Sequence, residues 1–240
     1  MKTIGIIGGM SWTSTAEYYR LLNEQVTAQR GGLESPPILL HSLNFAEVVE
    51  MQRSGRWDEA GELLARAGQG LERAGADCLL VATNTMHKVA PAIEAATGIP
   101  LLHIADSTAE AIRAAGLTRV GLLATRFTME QDFYRERLAR HGIEVLVPDA
   151  EERAEVHRVI FEELCCNVVR PEARSFYQTV MQGLVARGAQ GMVLGCTEIM
   201  LLVGAGDTTV PVFDTTALHV DAAVRFVLDQ AARPQPVPAG

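Results

Sequence analysis

Two stretches of this sequence match each other: Arg73-Ala-Gly-Ala-Asp-Cys-Leu-Leu-Val-Ala-Thr-Asn-Thr85 and Ala186-Arg-Gly-Ala-Gln-Gly-Met-Val-Leu-Gly-Cys-Thr-Glu198. In each, a glycine and an alanine lead into a short apolar run that ends in polar residues. At constant spacing, Thr83 aligns with Cys196 and Asn84 aligns with Thr197. A repeat of this kind is typical of a fold built from two similar units.

Two further pairs of segments agree in the same order along the chain. Lys2-Thr-Ile-Gly-Ile-Ile-Gly8 is similar to Thr118-Arg-Val-Gly-Leu-Leu-Ala124, and Ile99-Pro-Leu101 is similar to Val210-Pro-Val212. The alternative is that these matches reflect only the generic composition of strand–helix units. Because the pairs keep their order, we favour an internal duplication.

Short apolar runs alternate with longer amphipathic segments. The predicted strands are Thr3–Ile7, Ile38–Leu43, Cys78–Ala82, Pro100–His103, Arg119–Ala124, Ile143–Val147, Gln190–Leu194 and Val210–Phe213. The predicted helices are Trp12–Arg30 with Ser11 as its N-cap, Trp57–Ala74, Met86–Ala96, Ser107–Ala115, Thr128–His141, Ala154–Cys165, Glu172–Ala186 and Thr215–Ala232. Regular alternation of strand and helix predicts parallel sheets with crossover helices, and continuously apolar strands indicate sheets covered on both faces.

The predicted fold class is therefore α/β, with two pseudo-symmetric parallel lobes and an active site in the cleft between them. We expect the first lobe to contain residues 1–100 and 209–232, and the second lobe to contain residues 101–208. The proline-rich residues 233–240 are expected to form a flexible tail. Ligands of open parallel sheets bind at the carboxyl ends of the strands, so Thr83 and Cys196 should lie on opposite walls of one pocket.

Composition narrows the class of protein. Of the 240 residues, 48% are apolar and 21% are charged, which is typical of a globular protein and excludes a disordered chain or a coiled coil. No apolar run approaches the length of a membrane span, and no secretory signal fits. The net charge of −8, without a basic stripe, argues against a nucleic-acid partner. The four cysteines show neither metal-ligand nor disulfide spacing, so we expect no metal and a reducing, cytoplasmic location.

The strand ends carry the candidate chemistry. Cys196 lies between an apolar strand and a predicted helix, where the helix N-terminus would lower the pKa of its thiol. A small buried core cysteine is the alternative. Asn84 and Thr85 suit an α-carboxylate, although a plain helix cap would use the same residues. The loop after the first strand, which includes Met10, has glycines that allow a ligand close to the backbone but lacks the dinucleotide-binding fingerprint.

Other positions are candidates for contact with a ligand. Thr125 lies at a further strand end, and Gln52 and Arg53 follow the second strand, where they would reach a side-chain carboxylate or form a solvated surface pair. His87 would either contact the site or cap the helix that follows Thr85. Cys165 and Cys166 fall late in a helical pattern, where one of the pair would face the cleft or, as we favour, both would lie in the core.

Three motifs together resemble the aspartate/glutamate racemase family, whose members work without a pyridoxal cofactor. They are Lys2-Thr-Ile-Gly-Ile-Ile-Gly-Gly-Met10, Thr83-Asn-Thr-Met-His87 and Gly195-Cys-Thr-Glu198, and the resemblance covers about residues 2–230. The family pattern has a cysteine from each half, and Thr83 stands where the first is expected. Segments Ser42–Trp57 and Met129–Tyr134 look like the broad-range or L-selective amino-acid racemase subgroup, in which a threonine is known at this position.

The resemblance implies a cofactor-independent amino-acid racemase in which Cys196 and Thr83 transfer protons on opposite faces of Cα. It also implies substrate contacts from Met10, Gln52, Arg53, Asn84, Thr85, Thr125 and Thr197, and a homodimer. Strict aspartate racemases carry a lysine near position 165, where this chain has Cys165, so strict aspartate specificity is not expected. A hydroxyl is a far weaker acid than a thiol, so the reaction should be asymmetric or slow.

Two other functions remain open at this point. A single-thiol decarboxylase or isomerase of the same family would protonate one face of an enediolate, and it would need an apolar pocket at the departing carboxylate. A non-catalytic amino-acid-binding protein would keep the pocket without exchanging the Cα proton.

Overall fold

The computed structural model describes residues 1–229, and two separate parallel sheets organise it. The strands are β1 (Ile4–Gly8), β2 (Ile38–Ser42), β3 (Cys78–Val81), β4 (Arg119–Ala124), β5 (Glu144–Leu146), β6 (Met192–Gly195) and β7 (Val212–Asp214). The first sheet has the order β2-β1-β3, and the second has the order β5-β4-β6-β7. The expected α/β class with two parallel lobes is confirmed. The predicted tail, 233–240, lies outside the described residues.

Helices cover both faces of each sheet. They are α1 (Trp12–Arg30), α2 (Phe45–Arg53), α3 (Trp57–Arg73), α4 (Ala90–Ala96), α5 (Ile104–Ala114), α6 (Arg126–Glu130), α7 (Asp132–Ala139), α8 (Ala150–Glu162), α9 (Pro171–Ala186) and α10 (Thr215–Leu228). Short 3₁₀ turns occupy Thr85–Val89, Leu164–Cys166, Thr197–Leu201 and Ala205–Asp207. No helix within residues 1–229 is long and apolar enough to cross a membrane.

The two sheets repeat one topology. The order β2-β1-β3 in the first sheet recurs as β5-β4-β6 in the second. Leu101 makes a single parallel bridge to Leu79 of β3, at the place where β7 pairs with β6 in the other sheet. The predicted strand Pro100–His103 is reduced to this bridge. The internal repeat in the sequence thus corresponds to a repeat in strand order.

The strands are buried on both faces, as their continuous apolar runs predict. In β1, Ile4 and Ile6 pack toward α1 and α10, whereas Ile7 packs into a second cluster with residues of α3 and α4. Gly5 and Gly8 leave no room for a side chain, because a Cβ at either position would lie within 3.0 Å of neighbouring atoms. Close contact between elements therefore fixes where the β1 end lies.

Each sheet is followed by a helix that packs on the opposite lobe. Helix α5 follows the Leu101 bridge, and its residues Ile104 and Ile112 belong to the core around β4 and β6. Helix α10 follows β7, and its residues Val220 and Val224 belong to the core around β1 and α1. The two helices also contact each other. Each lobe is thus covered by the helix that follows the last strand of the other lobe.

The packing of α5 and α10 on the opposite lobes affects where the boundary between the lobes lies. We expected 209–232 to join the first lobe, but the strand within it, β7, pairs with β6 of the second sheet, and only the helix α10 packs on the first lobe. Similarly, Leu101 was expected to open the second lobe, yet it bridges to the first sheet. The chain changes lobe after each terminal strand, a few residues later than expected.

Candidate active site

The carboxyl ends of the strands converge on one pocket between the lobes, with a volume of about 430 Å³ including its open mouth. This is the edge at which parallel sheets bind ligands. The pocket is lined by Met10, Gln52, Thr83, Asn84, Thr85, Thr125, Cys196 and Thr197 from the candidates, and by Ser14, Phe45, Ile160, Phe161, Cys165, Gly195 and Glu198. The structure therefore gathers eight of the nine candidates around one cavity.

Arg53 is the candidate that the structure does not bring to the pocket. It is exposed and is not among the lining residues, whereas its neighbour Gln52 is buried. Consecutive residues of a helix point about 100° apart, so when Gln52 faces the pocket, Arg53 faces solvent. The amide Nε2 of Gln52 donates to Met86 Sδ at 3.1 Å. Of the two expected residues, the uncharged Gln52 lines the pocket and the charged Arg53 does not.

A buried carboxylate, Glu198, connects the lobes at the base of the pocket. Its Oε1 accepts hydrogen bonds from Ser11 (2.7 Å) and Ser14 (2.9 Å) at the start of α1. Its Oε2 accepts from Thr197 (2.6 Å) and from the Cys196 thiol (3.0 Å). Burial alone would raise the pKa of Glu198, but these hydrogen bonds outweigh it and hold the pKa below its usual value. The carboxylate is therefore ionised near neutral pH.

The pKa of the Cys196 thiol is shifted in the opposite direction from the one that its position in the sequence predicts. Burial and the neighbouring Glu198 carboxylate raise it well above the usual value for a cysteine. The segment that follows is a five-residue 3₁₀ turn and not an α-helix, so it offers little of the dipole that was expected to stabilise a thiolate. The expected lowering is thus wrong. In the ligand-free protein, Cys196 is a neutral thiol that donates to Glu198.

Cys165 also belongs to the pocket, which agrees with the alternative that one of the two cysteines faces the cleft and not with the favoured expectation that both are core residues. Cys165 is partly buried and lines the cavity, whereas Cys166 is exposed. The turn Leu164–Cys166 ends helix α8 early and points the two thiols in different directions. Burial, followed by the charge of Glu198, raises the pKa of Cys165 to about 12. Burial, together with the charge of the same carboxylate, therefore holds both pocket thiols neutral.

Asn84 has an amide whose orientation is fixed from outside the pocket. Its Nδ2 donates to Thr215 Oγ1 at 3.0 Å, and Thr215 in turn donates to the carbonyl of Leu194 at 3.0 Å. The Oδ1 atom of Asn84 is buried and has no hydrogen-bond partner in the described structure. An unpaired buried acceptor is costly, so a ligand N–H at this position would be stabilising.

A cluster of hydroxyls joins the lobes on the other side of Asn84. Thr85 Oγ1 lies 2.9 Å from Thr125 Oγ1 and 3.2 Å from Thr128 Oγ1. Because hydroxyls rotate, the three can offer a donor to a ligand while still bonding to one another. The two candidates Thr85 and Thr125 therefore act as one unit at the junction.

His87 supports the site from behind and does not line it. Its Nδ1 lies 2.7 Å from the carbonyl of Thr83, and its Nε2 accepts from the Ile104 backbone N–H at 3.3 Å. Since a carbonyl only accepts, Nδ1 carries the proton. Burial holds the pKa of His87 well below its usual value. Both nitrogens are thus engaged with the backbone, which makes His87 a support for Thr83 and not a proton carrier.

Sequence reasoning missed several lining residues for different reasons. Glu198 was visible within Gly195-Cys-Thr-Glu198, but a carboxylate at the start of a predicted helix looked like a simple capping residue. Ser14 follows the N-cap Ser11 by three residues and carried no other signal. Phe45, Ile160 and Phe161 lie on helices whose apolar faces look like any core-facing surface.

Comparisons with known proteins agree with this geometry. Residues 7–223 match the family model described as Asp/Glu/hydantoin racemase. A Yersinia pestis crystal structure assigned to the Asp/Glu racemases is 53% identical, with coverage of 95% of this chain and 100% of that one and a TM-score of 0.90. An aspartate racemase homologue from Pyrococcus horikoshii is 34% identical, with coverage of 94% and 99% and a TM-score of 0.82.

A third relative is less similar in sequence. The broad specificity amino-acid racemase RacX of Bacillus subtilis is 23% identical over 231 residues, which cover 94% of this chain and 98% of the relative. The family model spans both lobes and all the strand ends that line the pocket. This chain therefore belongs to the Asp/Glu/hydantoin racemase family and is an isomerase of the amino-acid racemase class.

Proposed function

We propose that this protein racemises free amino acids without a cofactor, with Cys196 and Thr83 transferring protons on opposite faces of Cα. One observation carries the proposal: two residues at equivalent strand ends of the two lobes line a single pocket. Both can exchange a proton, and the rest of the pocket is rich in hydroxyl and amide groups. Such a site suits proton transfer to and from a small polar substrate.

The polar groups match the charges of an amino acid. The free acceptor of Asn84 suits the α-ammonium, which has only donors to offer. The hydroxyls of Thr85 and Thr125 suit the α-carboxylate, whereas Thr197 donates its single proton to Glu198. This assignment replaces the expectation from the sequence that Asn84 binds the carboxylate, because its Nδ2 already donates to Thr215. Donors on the carboxylate lower the barrier because negative charge grows there when the Cα proton leaves.

The proton steps are unequal in the two directions. From the L-enantiomer, the thiolate of Cys196 takes the Cα proton, and Thr83 or a water beside it returns one on the other face. From the D-enantiomer, the hydroxyl of Thr83 would have to begin, and a hydroxyl is scarcely ionised at neutral pH. In both directions one proton leaves Cα and one returns, so the protein ends in the opposite protonation state and must re-equilibrate.

The test is Cα–H exchange in D₂O, followed by NMR over a panel of L- and D-amino acids after dialysis against a chelator. We expect exchange in the parent protein and, because Cys196 is the base, a loss of at least about 100-fold in Cys196→Ser. Circular dichroism of the variant checks that it is folded. A serine variant with near-parental exchange would refute the role of Cys196, and activity that returns only with added metal or pyridoxal phosphate would refute cofactor independence.

Two further measurements separate the alternative functions. A decarboxylase would release carbon dioxide from a substituted malonate, and a binding protein would show saturable binding without any deuterium at Cα. Either result, in place of exchange, would replace the racemase proposal.

We also infer a homodimer that works in the cytoplasm. The large apolar side chains of Trp12, Tyr19 and Leu40 are 68%, 57% and 49% exposed, on α1 and on the edge strand β2, which suits burial against a second copy. The free thiols of the described chain suit a reducing compartment. Light scattering of the purified protein measures the oligomeric state directly, and a monomer at all concentrations would contradict the dimer.

A further inference from the structure

The side chains that line the pocket carry little charge, and that charge is negative. Within the described residues, its walls carry one carboxylic acid, Glu198, and no lysine, arginine or histidine. The low pKa of Glu198 keeps that acid negative. A substrate therefore enters a cavity whose fixed charge is negative, and any further anionic group on it would have to find neutral donors only.

Two arginines near this part of the pocket lie outside its lining. Arg53 and Arg126 are both exposed, and neither lines the pocket. Their charges act on His157, which packs against Phe161 with ring centroids 4.6 Å apart. Burial first, and then these two arginines, lower the pKa of His157, so this ring is also neutral near neutral pH. The cavity side of Phe161 is thus left without a positive group.

One wall of the pocket is apolar and is built by both lobes. Phe45 from α2 stacks on Phe161 from α8, with centroids 6.4 Å apart and an interplanar angle of 17°. Ile160 adjoins this pair in the lining. The strand-end groups that suit the ammonium and the carboxylate lie elsewhere in the lining, so the aromatic wall and the neutral amide of Gln52 remain for the substrate side chain.

A side-chain carboxylate would be poorly placed at such a wall. It would lose its hydration, gain no ionic partner and lie in the field of Glu198, and each of these costs free energy. An uncharged side chain loses little hydration and gains contact with the rings. We propose that this site takes amino acids with uncharged side chains, apolar or amide-bearing, in preference to aspartate and glutamate. The inference rests on the proposed racemase function for its chemistry.

Matched substrate pairs test the inference. In the parent protein, kcat/KM for Cα–H exchange should be at least about tenfold higher for L-glutamine than for L-glutamate, and for L-asparagine than for L-aspartate, with L-methionine also a substrate. Equal or faster exchange of the acidic members would overturn the charge argument while leaving the racemase proposal intact.

Binding to Cys196→Ser, measured by calorimetry with the same pairs, separates the two proposals. If no amino acid exchanges its Cα proton in the parent protein but the uncharged members bind more tightly to Cys196→Ser, the racemase function fails and the selectivity stands. If the acidic members bind more tightly, the selectivity is refuted, whatever the catalytic result.

A matched pair of variants tests the aromatic wall itself. Phe161→Arg brings a guanidinium to the wall and should raise the ratio of L-glutamate to L-glutamine exchange by at least about tenfold, because the carboxylate gains an ionic partner. Phe161→Leu removes the ring without adding charge and should keep the parental ratio, whatever it does to the absolute rates. A folded Phe161→Arg protein with an unchanged ratio would show that the substrate side chain does not face this wall. If that variant does not fold, the substrate pairs in the parent protein decide the question.

Discussion

Cys196 carries its proton in the ligand-free protein, because burial and the charge of Glu198 both raise the pKa of its thiol. Thr83, its counterpart on the other lobe, is a neutral hydroxyl as well. Neither group is a base before substrate binds. The fraction of thiolate below the thiol pKa grows tenfold with each pH unit, so exchange that starts at Cys196 should accelerate as the pH rises from neutral toward about 9.

Replacement of Glu198 by glutamine should move this pH profile. Besides burial, the Glu198 charge and its hydrogen bond raise the Cys196 pKa, so Glu198→Gln lowers that pKa, and the rise in kcat/KM for an L-substrate should shift toward acid pH. The measurement is the pH dependence of initial Cα–H exchange. As a control, Glu144→Gln removes an exposed carboxylate that pairs with Arg119 and should leave the profile in place. An unmoved profile in Glu198→Gln would mean that Glu198 does not set the thiol pKa.

Thr83 should make exchange one-sided. L-substrates meet a thiol and should exchange readily, whereas D-substrates must be deprotonated from the Thr83 side and should exchange slowly. Thr83→Cys places a thiol on that face and should raise the initial rate for D-substrates more than for L-substrates. The ratio of kcat/KM values stays tied to the equilibrium constant, so the asymmetry is sought in kcat and KM separately. Equal exchange of both enantiomers in the parent, unchanged in the variant, would contradict a role for Thr83.

At this scale, the sequence repeat was enough to pair Thr83 with Cys196, because the alignment of strand ends follows directly from the duplicated motif. The thiol pKa was not accessible in the same way. It depends on Ser11 and Ser14, whose hydrogen bonds keep Glu198 ionised beside the sulfur across the lobe junction. Contacts between residues so distant in the chain have no local sequence signature.

At the scale of elements, three neutral histidines pack where α10 crosses to the first lobe. His87 lies 4.6 Å from His103 and 5.7 Å from His219, measured between ring centroids. His219 donates from Nε2 to the carbonyl of Leu102 (2.7 Å) and accepts from Tyr18 at Nδ1 (2.8 Å). Burial, as the leading cause, lowers the pKa of His103 to about 3 and that of His219 to about 4.

This cluster predicts acid-sensitive stability. The unfolded chain takes up protons on these histidines below about pH 6.5, whereas the folded chain does not until its lower pKa values are reached. The free energy of unfolding should therefore fall as the pH drops from about 6.5 toward 4, by about 1.4 kcal/mol per pH unit for each histidine. Urea unfolding at several pH values measures the slope. His219→Gln, which keeps a donor and an acceptor, should reduce the slope by one proton, and an identical slope would contradict the assignment.

Individual helices and strands were predicted correctly where a clear N-cap or a continuous apolar run marks them. Helix α1 begins after its N-cap Ser11 and ends at Arg30, as expected, and β4 has the predicted bounds. The short helix α2 was missed, because it has only nine residues and its cap is the single Asn44. The predicted helix Thr128–His141 is split at Gln131, whose extended backbone ends α6 and starts α7. These local breaks depend on packing between helices and not on local propensity.

At the scale of the whole molecule, the exchanged helices should make unfolding a single event. Neither sheet keeps its cover if the other lobe opens, since α5 completes the second core and α10 completes the first. We therefore expect coincident urea transitions from tryptophan fluorescence, which reports on Trp12 and Trp57 of the first lobe, and from far-UV circular dichroism, which reports on both. Two separated transitions would show that the lobes are independent.

The two ends of the described chain meet on the same face. The Lys2 backbone N–H donates to the carbonyl of Val227 at 3.3 Å, and the Lys2 ammonium lies 4.1 Å from the centre of the Phe226 ring. A short peptide could thus join the end of α10 to β1, and the turn at Gly116, between α5 and β4, is the matching place to open the chain. A circular permutant that begins with β4 would keep every strand pairing while it reverses the order of the halves. The fold then does not require either half to be synthesised before the other.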